Sequence, residues 1–178
     1  MSGKAGSHAA TKTNAARQLD SLGIAYERRP YEVDLDDLTA ISVAKKIGMP
    51  AEQVFKTLLA ELHGGEHVFA VIPGDAELDL KKLAHAAGAK KAELAPLKEV
   101  EPLTGYIRGG VTVMAAKKAF RAFADETIEL FETISVSAGQ RGLQLILAPA
   151  DYLRASEAEL SDLTKDFQPA TATGWPHA

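Results

Sequence analysis

Val54-Phe55-Lys56-Thr57-Leu58-Leu59-Ala60-Glu61-Leu62, then His63-Gly64-Gly65-Glu66, then His67-Val68-Phe69-Ala70-Val71-Ile72-Pro73, is the stretch that decides the fold class. Two apolar runs flank a Gly-Gly turn, which is the pattern of an antiparallel β-hairpin. Working toward the C-terminus, Asp79 can cap a helix through Leu83 and Ala86 that ends at Gly88. Ala92–Ala95 reads as a short strand, Pro96 can open a short helix, and Val111–Met114 is another strand candidate after Gly109-Gly110. Thr133–Val136 and Leu143–Leu147 read as two further strands around a glycine-bearing turn. Pro149 sits well at the start of a helix through Tyr152 and Leu153.

Toward the N-terminus, Thr39 can cap a helix that reaches Ile47 and stops at Gly48 and Pro50. Ile24–Val33 is extended, with Pro30 limiting it to an edge or a bend. Ala15, Leu19 and Leu22 recur at helical spacing within Thr13–Leu22, and Gly23 follows as a stop. Strands and helices are interspersed without a strict βαβ rhythm, which argues for an α+β domain with a mixed sheet. Residues 1–10 are small and polar and are expected to be a disordered lead. Residues 11–168 form one expected domain, and 169–178 an irregular tail.

At 178 residues the chain is long enough to bury a core without disulfides or metal. It contains no cysteine, so a protein thiolate nucleophile and any cysteine-based zinc site are excluded. No apolar run is long enough for a transmembrane helix, and the N-terminus lacks a secretory apolar region, so a cytoplasmic location is expected. The net charge of −4 supplies no global basic field for nucleic acid. Any RNA contact must then be a local patch. Ten of the basic residues fall in five doublets: Arg28-Arg29, Lys45-Lys46, Lys81-Lys82, Lys90-Lys91 and Lys117-Lys118. Solvated helix ends and edges account for such doublets as readily as a partner does.

No phosphate loop, dinucleotide fingerprint, HExxH or GxSxG elbow is present, so neither a cofactor nor a metal is expected. His63 and His67 are four apart, but the spacing belongs to a turn rather than to one helix face. Three segments remain. Lys56 places an ammonium in an apolar strand. Such a group is costly unless its head reaches water or an anion, and it can equally be an edge-strand lysine that blocks aggregation. Thr104-Gly105-Tyr106-Ile107-Arg108-Gly109-Gly110 can bring backbone amides close to a ligand, or can be a simple bend. Ser135-Val136-Ser137-Ala138-Gly139-Gln140-Arg141-Gly142 can grip a phosphate or ribose, or can be a plain hairpin turn.

At these segments the chain resembles the YbaK/EbsC and prolyl-tRNA-synthetase-associated editing domains. The resemblance runs from about Ala15 to Leu153. It is carried by Val54–Leu59, by Thr104-Gly105-Tyr106 with Gly109-Gly110, and by Val136-Ser137 with Gly139 and Arg141-Gly142-Leu143. Leu78–Ala84, Gly88–Lys91 and Tyr31-Glu32 add to it. It implies a compact α+β domain, with a mixed, barrel-like sheet surrounded by helices and one cleft for the 3′ aminoacyl-adenosine end of tRNA. The implied partners are tRNA and a prolyl-tRNA synthetase. The implied activity is trans-acting clearance of Cys-tRNA(Pro), with the substrate's own thiol as nucleophile, a lyase-like reaction. An Ala-tRNA(Pro) hydrolase on the same fold, and a non-catalytic tRNA- or synthetase-binding module, are the alternatives.

In that frame Lys56 takes the place of the family's essential lysine, and amides near Gly109 and Gly110 would hold the developing oxyanion. Tyr31, Thr57, Tyr106 and Ser137 would line the pocket, joined by Arg141 and Gln144 as substrate contacts. Two positions depart from the family. Val113 replaces a frequent proline, and Gln144 stands where many members carry an acid.

Overall fold

The computed structural model describes residues 11–166, so the expected lead and tail lie outside the described residues. The hairpin is its centre. β2 (Phe55–Leu62) and β3 (His67–Pro73) pair antiparallel, with Lys56 opposite Ile72 and Glu61 opposite His67. Val68 through Ile72 are all without solvent exposure, so β3 is covered on both faces and reads as a continuous apolar run. β4 (Ala92–Leu94) pairs with the far end of β2, and β5 (Arg121–Asp125) and β8 (Glu159–Ser161) add on in parallel beyond β3. The resulting five-stranded sheet has the order β4-β2-β3-β5-β8.

A second sheet has the order β1-β7-β6, built from β1 (Glu27–Pro30), β6 (Ile134–Ser137) and β7 (Leu143–Leu147). Pro30 lies on its edge strand, where its missing N–H breaks no ladder. One parallel bridge, Val54 to Ser135, joins the two sheets. The arrangement is therefore mixed and barrel-like without closing into a continuous ladder. Phe55, Val71, Ala124, Val136 and Leu145 meet in the main core between the sheets. α1 (Asn14–Ser21) seals that core with Ala15, Ala16 and Leu19. Fully burying a side chain as large as Leu19 contributes roughly 1.5–3 kcal/mol.

The helices start where their caps lie. Thr13 Oγ1 accepts from Ala16 N–H at 3.2 Å, and Thr39 Oγ1 accepts from Ser42 N–H at 3.2 Å at the start of α2 (Ala40–Ile47). Asp79 accepts from Lys81 and Lys82 N–H to start α3 (Leu80–Ala87). α4 (Leu97–Thr104) follows Pro96, and α5 (Pro149–Ser156) begins on its proline. No helix of the described residues is long and apolar enough to cross a membrane.

Two expectations change. Val111–Met114 is not a strand but irregular chain, because Thr112 and Met114 are buried without a ladder partner. β5 and β8 were not expected. Both are short and parallel, and each becomes a strand only by lying beside one from elsewhere in the chain.

Candidate active site

A cavity of about 340 Å³ opens between the start of α2, the start of β2, the 108–111 loop and the β6–β7 pair. Leu38, Ile41, Val43, Phe55 and Val111 give it apolar walls. Lys56, Thr57, Arg108, Gly109, Ser137 and Gln144 supply its polar groups. The lining contains no histidine and no carboxylate.

Lys56 is held at this cavity by the backbone around it. β4 covers only Ala60–Leu62, so one side of β2 is free beside Lys56. The side chain does not extend into open solvent. Its Nζ donates to the Gly74 carbonyl at 3.2 Å. That carbonyl is itself fixed, because Gly74 N–H donates to Ala51 O at 3.1 Å. A Cβ on Gly74 would fall 2.8 Å from Val54 O and 2.9 Å from Ala40 Cβ, so this approach of β3 to α2 admits glycine alone. Burial pushes the Lys56 ammonium below its ordinary range, while the carboxylates of Asp75 and Glu77 pull it partly back. Lys56 also borders a second groove, of about 590 Å³, beside Glu77, Asp79, Lys81 and Lys165.

The opposite wall is a buried polar pair. Ser135 Oγ donates to Gln144 Oε1 at 2.8 Å; both are buried, and of the two it is Gln144 that lines the cavity. Ser135 takes that position because the bridge to Val54 ties β6 to the start of β2. Ser137 Oγ accepts from Gly139 N–H at 3.2 Å and lines the cavity beside Gln144.

The 105–110 segment divides its work. Gly109 lines the cavity, and its N–H has no partner among the described hydrogen bonds. Gly110 N–H donates to Ile107 O at 2.9 Å, so that amide is spent in the turn and is not free for an oxyanion. A Cβ on Gly110 would lie 3.0 Å from the Gln140 backbone, which makes this residue a point of close loop packing.

Three further residues named from the sequence are placed beside the lining rather than in it. Tyr106 donates its hydroxyl to Met114 O at 2.6 Å and packs its ring on Gly139. Tyr31 packs with the α2 cluster, and Lys46 Nζ stands 5.9 Å from its ring centroid. Arg141 lies across Gly109 and donates Nε to Arg108 O at 2.8 Å. Arg108 and Gly74 are site residues that the sequence reading did not single out. The Pro73-Gly74 dipeptide after a strand was the available signal for the second.

The residues best placed to surround a small cation, among those described, are Glu61, His67 and Glu99, with ligand atoms all within 4.8 Å of one another. They lie at the turn end of the hairpin, five residue pairs from Lys56, and both carboxylates are well exposed. The His63–His67 spacing plays no part there.

Residues 37–155 match the family model of the aminoacyl-tRNA editing domain. The chain belongs to that family. The matched editing domain contains every residue lining the cavity. Among its relatives is an Enterococcus faecalis protein provisionally named Cys-tRNA(Pro)/Cys-tRNA(Cys) deacylase EbsC. It is 41% identical over 153 residues, covering 86% of this chain and 93% of the relative. An Escherichia coli K12 protein named multifunctional Ser/Thr-tRNA deacylase ProXp-y is 32% identical over 67% of this chain and 74% of its own. The editing-domain fold is also seen in a crystal structure provisionally described as a trans-editing enzyme for prolyl-tRNA synthetase. That structure superposes with a TM-score of 0.71 at 23% identity, over 85% of this chain and 97% of the other.

Proposed function

We propose that the chain is a trans-acting aminoacyl-tRNA deacylase that clears Cys-tRNA(Pro). The observation that carries the reading is Lys56, an ammonium from an apolar strand. It is held by Gly74 O at the rim of a small, largely apolar cavity that has no acid or imidazole in its lining. Such a site is suited to bind and orient an ester. It has no carboxylate or imidazole in its lining with which to activate a hydroxyl or water. The near full-length similarity to the EbsC deacylase supports the same substrate class.

In this mechanism Lys56 and Arg108 hold the phosphate or ribose hydroxyls of the terminal adenosine. Gly109 N–H and the Gln144 amide then face the aminoacyl group. The cysteine thiol supplies the nucleophile. Its sulfur bonds to the ester carbonyl carbon, and the bond from that carbon to the ribose oxygen breaks. The thiol proton ends on the departing ribose oxygen, so the products are a cyclic thiolactone and uncharged tRNA. Orientation alone can supply much of the rate when nucleophile and electrophile share one molecule. The carboxamide of Gln144 can donate a hydrogen bond to sulfur or carbonyl oxygen but cannot serve as a base.

The Ser/Thr name of the E. coli relative makes the amino acid the point to test. Single-turnover release from Cys-, Ala-, Ser- and Thr-tRNA(Pro), with mass analysis of the first product, is the experiment. Fast release from the cysteinyl ester as thiolactone is expected. Equal rates for cysteine and alanine, with free amino acid as the first product, would replace this mechanism with water attack on the same fold.

A further inference from the structure

The β6–β7 pair has two faces of unlike character. Ile134, Val136, Leu143, Leu145 and Leu147 alternate onto one face and join the main core. Ser135, Ser137, Gln144 and Ile146 alternate onto the other, with Ser137 opposite Gln144 and Ser135 opposite Ile146. A sheet face this polar usually meets water. Here Ser135 has no exposure and Gln144 only 5%. The start of β2 and α2 close over this face, where Ile146 packs with Val54, Val43, Ala44 and Ile47.

The Ser135–Gln144 bond is the one side chain–side chain hydrogen bond among the described residues whose partners are both buried. Its direction matters. The serine proton goes to Gln144 Oε1, so the carboxamide oxygen is occupied on the Ser135 side. Gln144 Nε2 has no partner among the described hydrogen bonds, yet it is not one of the sealed unpartnered atoms, which are Arg28 Nε, His67 Nε2, Thr112 Oγ1 and Tyr152 Oη. Gln144 lines the cavity, so that space is where its N–H groups have access. If the carboxamide turned over, Nε2 would donate to Ser135 Oγ. The serine proton would then lose the acceptor it has, in a place without exposure to water.

An amide nitrogen held toward a cavity offers hydrogens and no lone pair, so it suits a ligand atom that accepts. Among the atoms of the aminoacyl group that react, the thiol sulfur and the ester carbonyl oxygen can accept. A hydrogen bond donated to sulfur would occupy the electron pair that must attack. One donated to the carbonyl oxygen strengthens as that oxygen takes up negative charge. The unpartnered Gly109 N–H lines the same cavity and can give a second donor of this kind.

Resting on the deacylase reading above, we infer that Ser135 is a positioning residue, which holds the Gln144 carboxamide with its N–H groups toward the cavity so that they donate to the ester carbonyl oxygen. Ser135 itself touches no substrate and acts through Gln144. The bridge to Val54 fixes it where the chain enters the strand that carries Lys56. Without the serine hydroxyl the carboxamide is free to turn over, and the turned form points an oxygen at the developing negative charge.

The test is a double-mutant cycle of Ser135→Ala and Gln144→Met, with a thermal melt of each variant. Single-turnover release from Cys-tRNA(Pro) is followed over a range of enzyme concentrations. Gln144→Met keeps the length of the side chain and removes the donor. It is expected to slow the saturating rate about 100-fold, and Ser135→Ala about tenfold, with the half-saturating enzyme concentration within about twofold of the parent in both. In the Gln144→Met background, Ser135→Ala should change the rate by less than about twofold. A folded Ser135→Ala protein with the parental rate would overturn the assignment. So would a Ser135→Ala loss that persists undiminished in the Gln144→Met background, because the serine would then act by packing or alone. The side-chain amide resonances of Gln144 in isotope-labelled protein, identified by their loss in Gln144→Met, give a readout that needs no substrate. They should shift in Ser135→Ala, and unmoved resonances would overturn the inference. A parent that cleaves no aminoacyl ester would count against the deacylase reading, and these resonances would then decide whether Ser135 orients the carboxamide.

Discussion

Replacing Lys56 with methionine separates the cost of its charge from its use. Methionine keeps an unbranched stem in β2 and removes the ammonium that donates to Gly74 O. In the folded chain that charge is partly desolvated, and the lysine pKa is lowered as a result. The charge is therefore a burden on the fold, and the variant should melt at or slightly above the parent's temperature. Activity should move the other way. One well-placed, charge-assisted contact is worth roughly 2–4 kcal/mol in a transition state, or about 30- to 1000-fold in rate. The assay is single-turnover deacylation at saturating enzyme, beside a thermal melt of the same preparation. A folded Lys56→Met protein with near-parental rate would refute the reasoning, because the ammonium would then have no use to offset its burial.

The lowered pKa of Lys56 sets a pH dependence. If the ammonium is the working form, activity falls as pH rises through a value below 10.5. Lys56→Arg should remove that limb from a pH–rate profile corrected for spontaneous ester loss, because guanidinium stays charged there. Between the folded pKa and 10.5 the unfolded chain binds more protons at this site, so Lys56 makes stability rise with pH in that window. Gly74→Ala forces a Cβ against Val54 O and Ala51 O at 2.8 and 3.0 Å, and backbone oxygens cannot move aside. A loss of roughly 1–3 kcal/mol, or about 2–10 °C in a melt, is expected together with reduced activity; a melt within 1 °C or so of the parent would show that the approach relaxes freely. Gly110→Ala should lower stability and activity together, since its Cβ would meet the Gln140 backbone at 3.0 Å. Lost activity with an unchanged melt would return its amide to a direct role.

The helices, the hairpin and the first candidate lysine were legible in the sequence because their causes are local. Thr39 and Asp79, expected as caps, cap their helices through hydrogen bonds spanning two or three residues, and Thr13 caps the first helix in the same way. The Gly64-Gly65 turn and its apolar flanks specify the β2–β3 pair in the same way. Lys56 stood out because an ammonium among Phe55, Leu58 and Leu59 conflicts with its surroundings, and a conflict of that kind is visible in one dimension.

What escaped the sequence depends on partners far along the chain. β5 and β8 pair in parallel with strands reached only after long connections, and RAFAD by itself is as compatible with a loop. Val111–Met114 has a strand's composition but pairs with no strand of the described residues. The division of the two glycines was equally hidden: only the turn to Ile107 shows that Gly110 has spent its amide while Gly109 has not. The Ser135–Gln144 bond and the Gly74 cradle under Lys56 are of this kind. Sequence determined which residues carry charge, caps and turns, since those properties belong to each side chain. Tertiary structure alone decided which charges remain unpaired and which amides remain free, since those depend on every other group within a few ångströms.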